Sequence, residues 1–183
     1  MKLLNLYREI LKEEEEDEYY DPLDDIHVIS IEGTFYHGTS IDPDDEIFSS
    51  PQIGYSDWEA VWITEYEHVA QEFANWHGYT DNDIQVVYQI NISSDNIVQI
   101  STPMMDELKE FYGVDDPREL IPFLSQKFDG WQVVGSIDST RYNDYAIFDD
   151  DLLEVTGVKF RTNEEEEYTE YMDVYDAYEL LGK

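Results

Sequence analysis

The sequence predicts an α+β fold, in which several short strands form a sheet and a few amphipathic helices pack against it. Alternating, β-branched segments recur along the middle of the chain, and segments with apolar residues at helical spacing separate some of them. An apolar content of 42%, with 15% aromatic residues, supplies enough side chains for a hydrophobic core. These observations favour a folded domain over a disordered acidic chain, which would be poor in aromatic residues.

The 183 residues predict one domain with two short extensions. An N-terminal helix and acidic linker are expected at 1–29, the domain at 30–162, and an acidic helix at 163–183. Apolar residues at helical spacing predict the two terminal helices: Leu3, Leu4, Tyr7, Ile10 and Leu11 in the first, and Tyr168, Tyr171, Met172, Tyr175, Tyr178 and Leu181 in the second. Both stripes are expected to pack on the domain, with docking of a partner as the alternative.

Within the domain, local patterns predict the elements in order. β-branched and aromatic residues predict strands at 29–36, 60–63, 85–92, 96–100, 131–134, 145–148 and 152–160. Helical spacing predicts helices at 65–77, 104–112 and 117–126, with Asp115 or Asp116 near the start of the third. The stretch 42–55, rich in Asp, Pro, Ser and Gly, is expected to be a loop, and 149–151 a turn.

The charge excludes several classes of partner. The chain has 44 Asp and Glu residues against 10 Lys and Arg, which gives a formal net charge of -34. Because such a surface repels phosphate, binding to nucleic acid or to anionic lipid is not expected. The excess is not confined to the ends, since 30–162 alone carries 26 acids and 6 bases, a net of -20.

Several kinds of site and segment are not expected either. Cysteine is absent, so there is no disulfide, thiolate metal site or cysteine nucleophile. His27, His68 and His77 show no ligand spacing with carboxylates, and no metal site is expected. Without a long apolar stretch or a signal-peptide cleavage pattern, the sequence predicts a cytoplasmic protein, of the source or of a host cell, that has no membrane partner.

Three parts of the sequence stand out by their order and spacing. They are 35–40 (Phe-Tyr-His-Gly-Thr-Ser), then 60–65 (Ala-Val-Trp-Ile-Thr-Glu) with the helix that follows to 74, and finally 128–131 (Phe-Asp-Gly-Trp) with 143–148 (Asn-Asp-Tyr-Ala-Ile-Phe). Together they resemble the ADP-ribosyltransferase superfamily, in its diphtheria-toxin-like and poly(ADP-ribose)-polymerase-like branch, and small phage or toxin-type transferase domains. The resemblance covers about residues 30–155. It implies a split β-sandwich with flanking helices, and NAD as a substrate without a metal.

The resemblance assigns the first segment to the ribose and carboxamide of NAD. His37 would hydrogen-bond a ribose hydroxyl, and Thr39 or Ser40 would add a hydroxyl beside the same sugar. Gly38 would let the backbone approach closely, so that its N–H and C=O bind the carboxamide. From the residue alone, the alternative for His37 is a hydrogen-bonded structural histidine.

The second segment would hold the nicotinamide ring. Trp62 and Phe73 match the stacking positions of the family, since a flat cationic ring favours aromatic faces, although the family usually has Tyr at the first. Thr64 would lie beside this aromatic strand. The alternative is that both aromatic side chains belong to the core.

The resemblance places the catalytic carboxylate at Asp144, where the family motif has Glu. It would hydrogen-bond the ribose 2′-hydroxyl and stabilise positive charge on the sugar as nicotinamide leaves. Asp is one methylene shorter than Glu, and a displacement of about 1 Å can cost roughly a hundredfold in rate. Arg141, the base nearest in sequence, would contact the pyrophosphate.

The resulting hypothesis is a mono-ADP-ribosyltransferase that modifies a macromolecular acceptor, with a protein preferred. The Glu-x-Glu pattern of arginine-specific relatives is absent, and the charge favours a basic acceptor. The alternative is a binding or inhibitor protein that keeps the fold, has lost the reaction and engages a basic partner. A third interpretation treats the charge as an adaptation to a salty environment.

Overall fold

The computed structural model describes residues 21–24, 26–41, 60–76, 84–134, 144–162 and 167–181. It is α+β, as predicted, with six strands in one mixed sheet. The strands are β1 (His27–Ile41), β2 (Val61–Thr64), β3 (Ile84–Ser101), β4 (Gly130–Val134), β5 (Asp144–Ile147) and β6 (Glu154–Arg161). The helices are α1 (Glu67–Trp76), α2 (Thr102–Tyr112), α3 (Ile121–Leu124) and α4 (Val174–Leu180), with 3₁₀ turns at Pro117–Leu120 and Asp150–Leu152.

The described strands form a closed ring with one strand attached outside it. The order β1-β2-β5-β4-β3-β6 is completed by a pairing between β1 and β3 that runs over residues 84–99 of β3. The opposite edge of β3 pairs with β6 at 85–91 and with β4 at 97–101. Of these pairings only β3 with β4 is parallel. The long strand β3 therefore joins two parts of the sheet that pair with different neighbours.

Alternation of side chains divides the sheet into an inner and an outer face. The largest core cluster draws on β1, β2, β3, β5 and β6, and includes Phe35, Ile63, Tyr88, Ile147 and Val158. On the outer face, Trp131 of β4 packs with residues of α2 and α3. A third, smaller cluster seats α1 on Val87 of β3. Helices α1, α2 and α3 thus cover the sheet on the side away from the main core, whereas α4 packs on the main core itself through Ala177.

The strands predicted at 85–92 and 96–100 are one continuous strand, which corrects the sequence prediction. The polar residues between them suggested a break. Instead, the hydroxyl of Ser94 donates to Asp129 at 2.7 Å and accepts from the backbone N–H of Asn96 at 3.1 Å. The pairing with β1 shifts by one residue here, so a β-bulge absorbs the polar residues without ending the strand.

The C-terminal helix is shorter than predicted. It covers only α4, and the side chain of Asp173 caps its start by accepting from the N–H of Tyr175 at 2.8 Å. Before it, Met172 and Val158 exchange two backbone hydrogen bonds of 2.9 Å, so this part of the stripe lies against the edge of β6. The spacing of the tyrosines predicted a helix here, but it does not reveal that the edge of β6 offers hydrogen-bond partners to the backbone of this segment. The predicted N-terminal helix and the loop at 42–55 lie outside the described residues.

Two other boundaries differ from the predictions for local reasons. The helix predicted at 117–126 is a 3₁₀ turn followed by the four-residue α3, because Pro122 has no N–H to continue the ladder. Its predicted start is confirmed, since Asp116 caps the turn with Glu119 in a capping box. The last strand begins at Glu154 rather than 152, because Asp149 caps a 3₁₀ turn before it. None of the described helices is both long and apolar enough to cross a membrane.

Candidate functional site

Three of the predicted site residues lie on neighbouring strands, where β1, β2 and β5 run side by side. Tyr36 of β1 pairs with Thr64 of β2, and Thr64 pairs with Asp144 of β5. His37 follows Tyr36, and its Nδ1 lies 2.6 Å from the carbonyl oxygen of Trp62. Because paired strands are about 4.8 Å apart, in this row the backbones of His37 and Asp144 lie roughly two strand spacings from each other. Alternation directs the His37 side chain to the face of Phe35 and the Asp144 side chain to the face of Tyr36 and Thr64. We call this row, with His37, the β1–β2–β5 row.

The hydrogen bond of His37 determines the chemistry of its imidazole. A carbonyl oxygen can only accept, so Nδ1 carries the proton and donates to Trp62. In the neutral ring, Nε2 is then the acceptor and can receive a hydrogen bond from a hydroxyl group. The ring is half-buried, with its centroid 6.0 Å from that of Tyr88. This bond orients the imidazole before any ligand binds.

Gly38 is needed where α1 crosses β1. A Cβ atom added to Gly38 would lie 1.6 Å from the carbonyl oxygen of Ala70 and 2.5 Å from its carbonyl carbon. The helix backbone therefore rests directly on the strand, and any side chain at this position would push it away. The glycine identified by its motif has a packing role in addition to any contact with a ligand.

The backbone of Gly38 faces the side of β2. In β3 the carbonyl of Gln89 accepts from Thr156 of β6 at 3.3 Å, so Gln89 points its backbone groups away from β1. Backbone groups alternate in direction along a strand, so those of Val87 point the same way as those of Gln89. Gln89 and Val87 are paired with Tyr36 and Gly38 of β1, respectively. The N–H and C=O of Gly38 consequently point away from β3. In the described residues, β1 pairs with β2 only at Tyr36, so these groups face the region just beyond that pair.

Asp144 is a half-buried carboxylate with one oxygen lacking a hydrogen bond in the described part of the chain. Burial raises its pKa from 3.8 to about 6, and a hydrogen bond from the Thr64 hydroxyl opposes that shift. Thr64, only 2% exposed, also accepts from the N–H of Tyr66 at 3.3 Å. A buried carboxylate oxygen without a partner costs about 1–3 kcal/mol, and such groups concentrate at functional sites.

The two predicted stacking residues have different surroundings. Trp62 is half-buried, and its ring lies 6.1 Å from that of Trp131, which in turn contacts Phe148 at 6.1 Å. These contacts agree with the alternative that Trp62 belongs to a core cluster. Phe73 is half-buried on α1, one turn after Ala70, which contacts the strand at Gly38. It therefore lies on the helix that borders the β1–β2–β5 row.

The remaining predicted residues make few contacts in the described part of the chain or lie outside it. Thr39 and Ser40 are half-buried and point to opposite faces of β1, and the Thr39 hydroxyl donates to the Ser40 carbonyl at 3.4 Å. Alternation puts Thr39 on the face of His37. Arg141 and His77 lie outside the described residues. His68 is exposed on α1, and its ring lies 5.9 Å from that of Tyr66.

A chain of hydrogen-bonded polar side chains beside the row, two of them buried, was not predicted. Gln99 donates to Gln132 at 2.7 Å, Gln132 donates to the hydroxyl of Tyr145 at 3.0 Å, and Tyr145 donates to Glu65 at 2.8 Å. Gln132 and Tyr145 are each 4% exposed. The one sequence signal was Gln132 itself, an amide between Trp131 and the partly buried Val133 in a short strand. We call this set the Gln99–Glu65 chain.

A second polar cluster ties the C-terminal segment to α1. Lys159 of β6 is 7% exposed and forms an ion pair with Glu67 in the first turn of α1. Its Nζ lies 5.2 Å from the ring of Tyr168 and 5.0 Å from that of Tyr171. The Tyr171 ring also lies 6.3 Å from that of Tyr36, in the β1–β2–β5 row. The segment 167–172 therefore packs beside the ion pair to α1 and against Tyr36 of β1, and α1 and β1 are the elements that border the site.

The basic side chains outside this row are largely engaged by other groups. Lys127 pairs with Asp21 and Asp24, Arg118 pairs with Asp116, and Arg161 donates to Gln85 and Asn75. The described residues of the row itself include no Lys or Arg. The exposed carboxylates at 149–151 lie within 4.8 Å of one another, on the predicted turn.

No protein-family model matches the chain, and a search of curated proteins finds no significant match. The likeness to the ADP-ribosyltransferase superfamily therefore depends on the three sequence segments and on where their residues lie.

Proposed function

We propose that the protein is a mono-ADP-ribosyltransferase that uses NAD to modify a protein acceptor, on a split β-sandwich of the ADP-ribosyltransferase type. The observation that carries the proposal is the β1–β2–β5 row. It brings an imidazole oriented through Nδ1 and the backbone of Gly38, both on β1, to within about two strand spacings of the half-buried carboxylate of Asp144 on β5. His37 and Gly38 are consecutive residues, whereas Asp144 comes from a distant part of the sequence.

Each group of the row has a matching group on NAD. A carboxamide has both a donor and an acceptor, which suit the C=O and N–H of Gly38. Nε2 of His37 would accept from a ribose hydroxyl, and Asp144 from the 2′-hydroxyl. Phe73, on the bordering helix, would supply an aromatic face for the nicotinamide ring.

The reaction exchanges one bond at the ribose C1′ for another. The bond from C1′ to the pyridine nitrogen breaks, and its electron pair leaves with neutral nicotinamide. Positive charge develops on the sugar, where the Asp144 carboxylate would stabilise it within a partly desolvated site. The acceptor nucleophile then bonds to C1′ and gives up a proton. With a pKa of about 6, Asp144 is mainly ionised at pH 7 and above.

A second candidate function is an acidic binding protein that keeps this fold without turnover. Two observations favour it: the carboxylate is one methylene shorter than the family's Glu, and the described row has no basic side chain for a pyrophosphate. The net charge of -34 would then attract a basic partner.

Labelled NAD distinguishes the two functions. Wild-type protein is incubated with NAD and a lysate, and both nicotinamide release and labelled protein are measured. We expect both signals with wild type, and their loss in His37→Ala and Asp144→Ala. Asp106→Ala, which removes an exposed acid from α2, is the matched control and should retain both. Absence of NAD binding and of nicotinamide release in wild type would overturn the proposal.

The second function predicts a different pattern. A complex with a basic protein should then weaken as salt is added and should be unaffected by His37→Ala. Retention of a salt-sensitive complex together with a lack of nicotinamide release would favour the binding protein.

A further inference from the structure

The Gln99–Glu65 chain is directional. Every hydrogen bond in it is donated in the direction of Glu65. The amide of Gln99 on β3 donates to the amide oxygen of Gln132 on β4, and Gln132 donates to the hydroxyl of Tyr145 on β5. That hydroxyl donates to the carboxylate of Glu65, just beyond the end of β2. Successive hydrogen bonds of this kind polarise one another, so the last donor is the most strongly polarised. The chain ends on a charge and not on another neutral group.

Glu65 itself is exposed, and it immediately follows the Thr64–Asp144 pair of the β1–β2–β5 row. Its anchor, Tyr145, follows Asp144 in β5. The two carboxylates therefore lie at the same end of the β2–β5 ladder, with Glu65 held by Tyr145, whose side chain is on the face of Phe35 and opposite to that of Asp144. Holding a glutamate side chain in one orientation costs roughly 1–2 kcal/mol of rotamer freedom, and an exposed residue has no packing reason to lose it.

The buried part of the chain is also unnecessary for packing alone. A Phe at Tyr145 would keep the contact with Phe35, whose ring lies 5.4 Å away at 83°, and an apolar residue could replace Gln132. The polar groups instead orient a carboxylate beside the site. A carboxylate has about four acceptor positions, and Tyr145 occupies one of them.

We propose that Glu65 is a specificity-determining residue that binds a cationic group, a lysine or arginine side chain, of the acceptor protein. The inference rests on the proposed function, and names its acceptor class. The orientation imposed by Tyr145 lets Glu65 accept a charge-assisted hydrogen bond with little further loss of freedom. The acceptor nucleophile is then a group near a basic residue, positioned as it approaches C1′.

The test compares Glu65→Gln with Glu154→Gln, which removes the same charge from an exposed position on β6. Two peptides are offered with labelled NAD: one containing several Lys and Arg residues, and one with Gln in their place. The readout is label on the peptide divided by nicotinamide released. We expect Glu65→Gln to lower this ratio about tenfold for the basic peptide, the size of one charge-assisted bond, and Glu154→Gln to keep it. Tyr145→Phe, which keeps the charge and loses the anchor, should lower it by less.

Several outcomes would overturn the inference. An equal fall in both glutamine variants would mean that only net charge matters. A parallel loss of nicotinamide release and of label in Glu65→Gln would place Glu65 in NAD binding or chemistry, and a wild-type preference for the neutral peptide would exclude cation binding.

Direct binding separates this inference from the proposed function. If wild type releases no nicotinamide, the proposed function fails, and fluorescence anisotropy of the labelled basic peptide decides the inference alone. Weaker binding by Glu65→Gln than by Glu154→Gln would support a cation site at Glu65. Equal binding by the two variants would refute it.

Discussion

Among the described glycines, Gly38 has the least room for a side chain, because α1 crosses directly over it. The change Gly38→Ala adds one methyl carbon at a position 1.6 Å from the carbonyl oxygen of Ala70. Real contacts of this kind are longer than about 3 Å, so the oxygen must move by roughly 1.5 Å. Because it belongs to a helix backbone, the whole of α1 has to shift, and a side-chain rotation cannot relieve the clash.

The energetic cost follows from that displacement. Adding a methyl group to a packed interior costs about 1–3 kcal/mol, and a clash with backbone belongs at or above the upper end. We expect a loss of about 3 kcal/mol in the free energy of unfolding, and a fall of about 6–12 °C in melting temperature for a chain of this size. This is a large part of the 5–15 kcal/mol typical of a whole domain.

Urea denaturation of purified protein measures this loss, with Gly157→Ala as the matched control. Gly157 is also a buried strand glycine, but an added Cβ would meet its nearest neighbours at 3.5 Å, an ordinary contact. The control should stay within about 0.5 kcal/mol of wild type, or gain slightly because alanine restricts the unfolded chain. An equally small effect of Gly38→Ala would show that α1 does not rest on β1 in this way.

Three further predictions concern the charged groups. Burial raises the pKa of Asp144 to about 6, so the folded state holds this proton more tightly than the unfolded state and stability falls as pH rises from about 4 to 6. Asp144→Asn should therefore become more stable than wild type over that range, by about 1 kcal/mol after allowing for partial solvation, whereas Asp106→Asn should show no such gain in denaturation measured against pH. Nicotinamide release should rise with pH through about 6, because ionised Asp144 is the active form, and a flat profile would contradict this role. Lys159→Met should lower stability in urea denaturation because Glu67 loses its ion-pair partner, and it should do so more than Lys127→Met, which removes an exposed ion pair; equal losses would mean that burial of Lys159 adds nothing.

The elements that sequence patterns predicted well are those whose signal is local. β2, β4 and β5 are short apolar strands, and each begins within one residue of its predicted position. The cap at Asp116 was also predictable, because a capping box needs only residues a few positions apart. In contrast, Ser94 continues β3 because of Asp129, a partner 35 residues away that no local pattern contains.

The same distinction applies to the site. The β1–β2–β5 row was predictable because its residues belong to recognisable segments, and strand pairing brings the segments together. The Gln99–Glu65 chain was not, since its hydrogen bonds join residues 33, 13 and 80 positions apart. Closure of the sheet through β1 and β3 likewise depends on long-range pairing, which periodicity within one strand does not determine.

The shorter carboxylate of Asp144 has to be considered together with what holds β5. A strand could in principle shift toward the substrate and recover the lost methylene. Here the residue after Asp144 is fixed on three sides: Tyr145 contacts the Phe35 ring in β1, accepts from Gln132 in β4 and donates to Glu65 beyond β2. Moving β5 by an ångström would break these contacts, so the strand cannot compensate. In the proposed enzyme, the substrate would therefore have to come closer to Asp144, and we expect Gly38 and His37 to determine how close it comes.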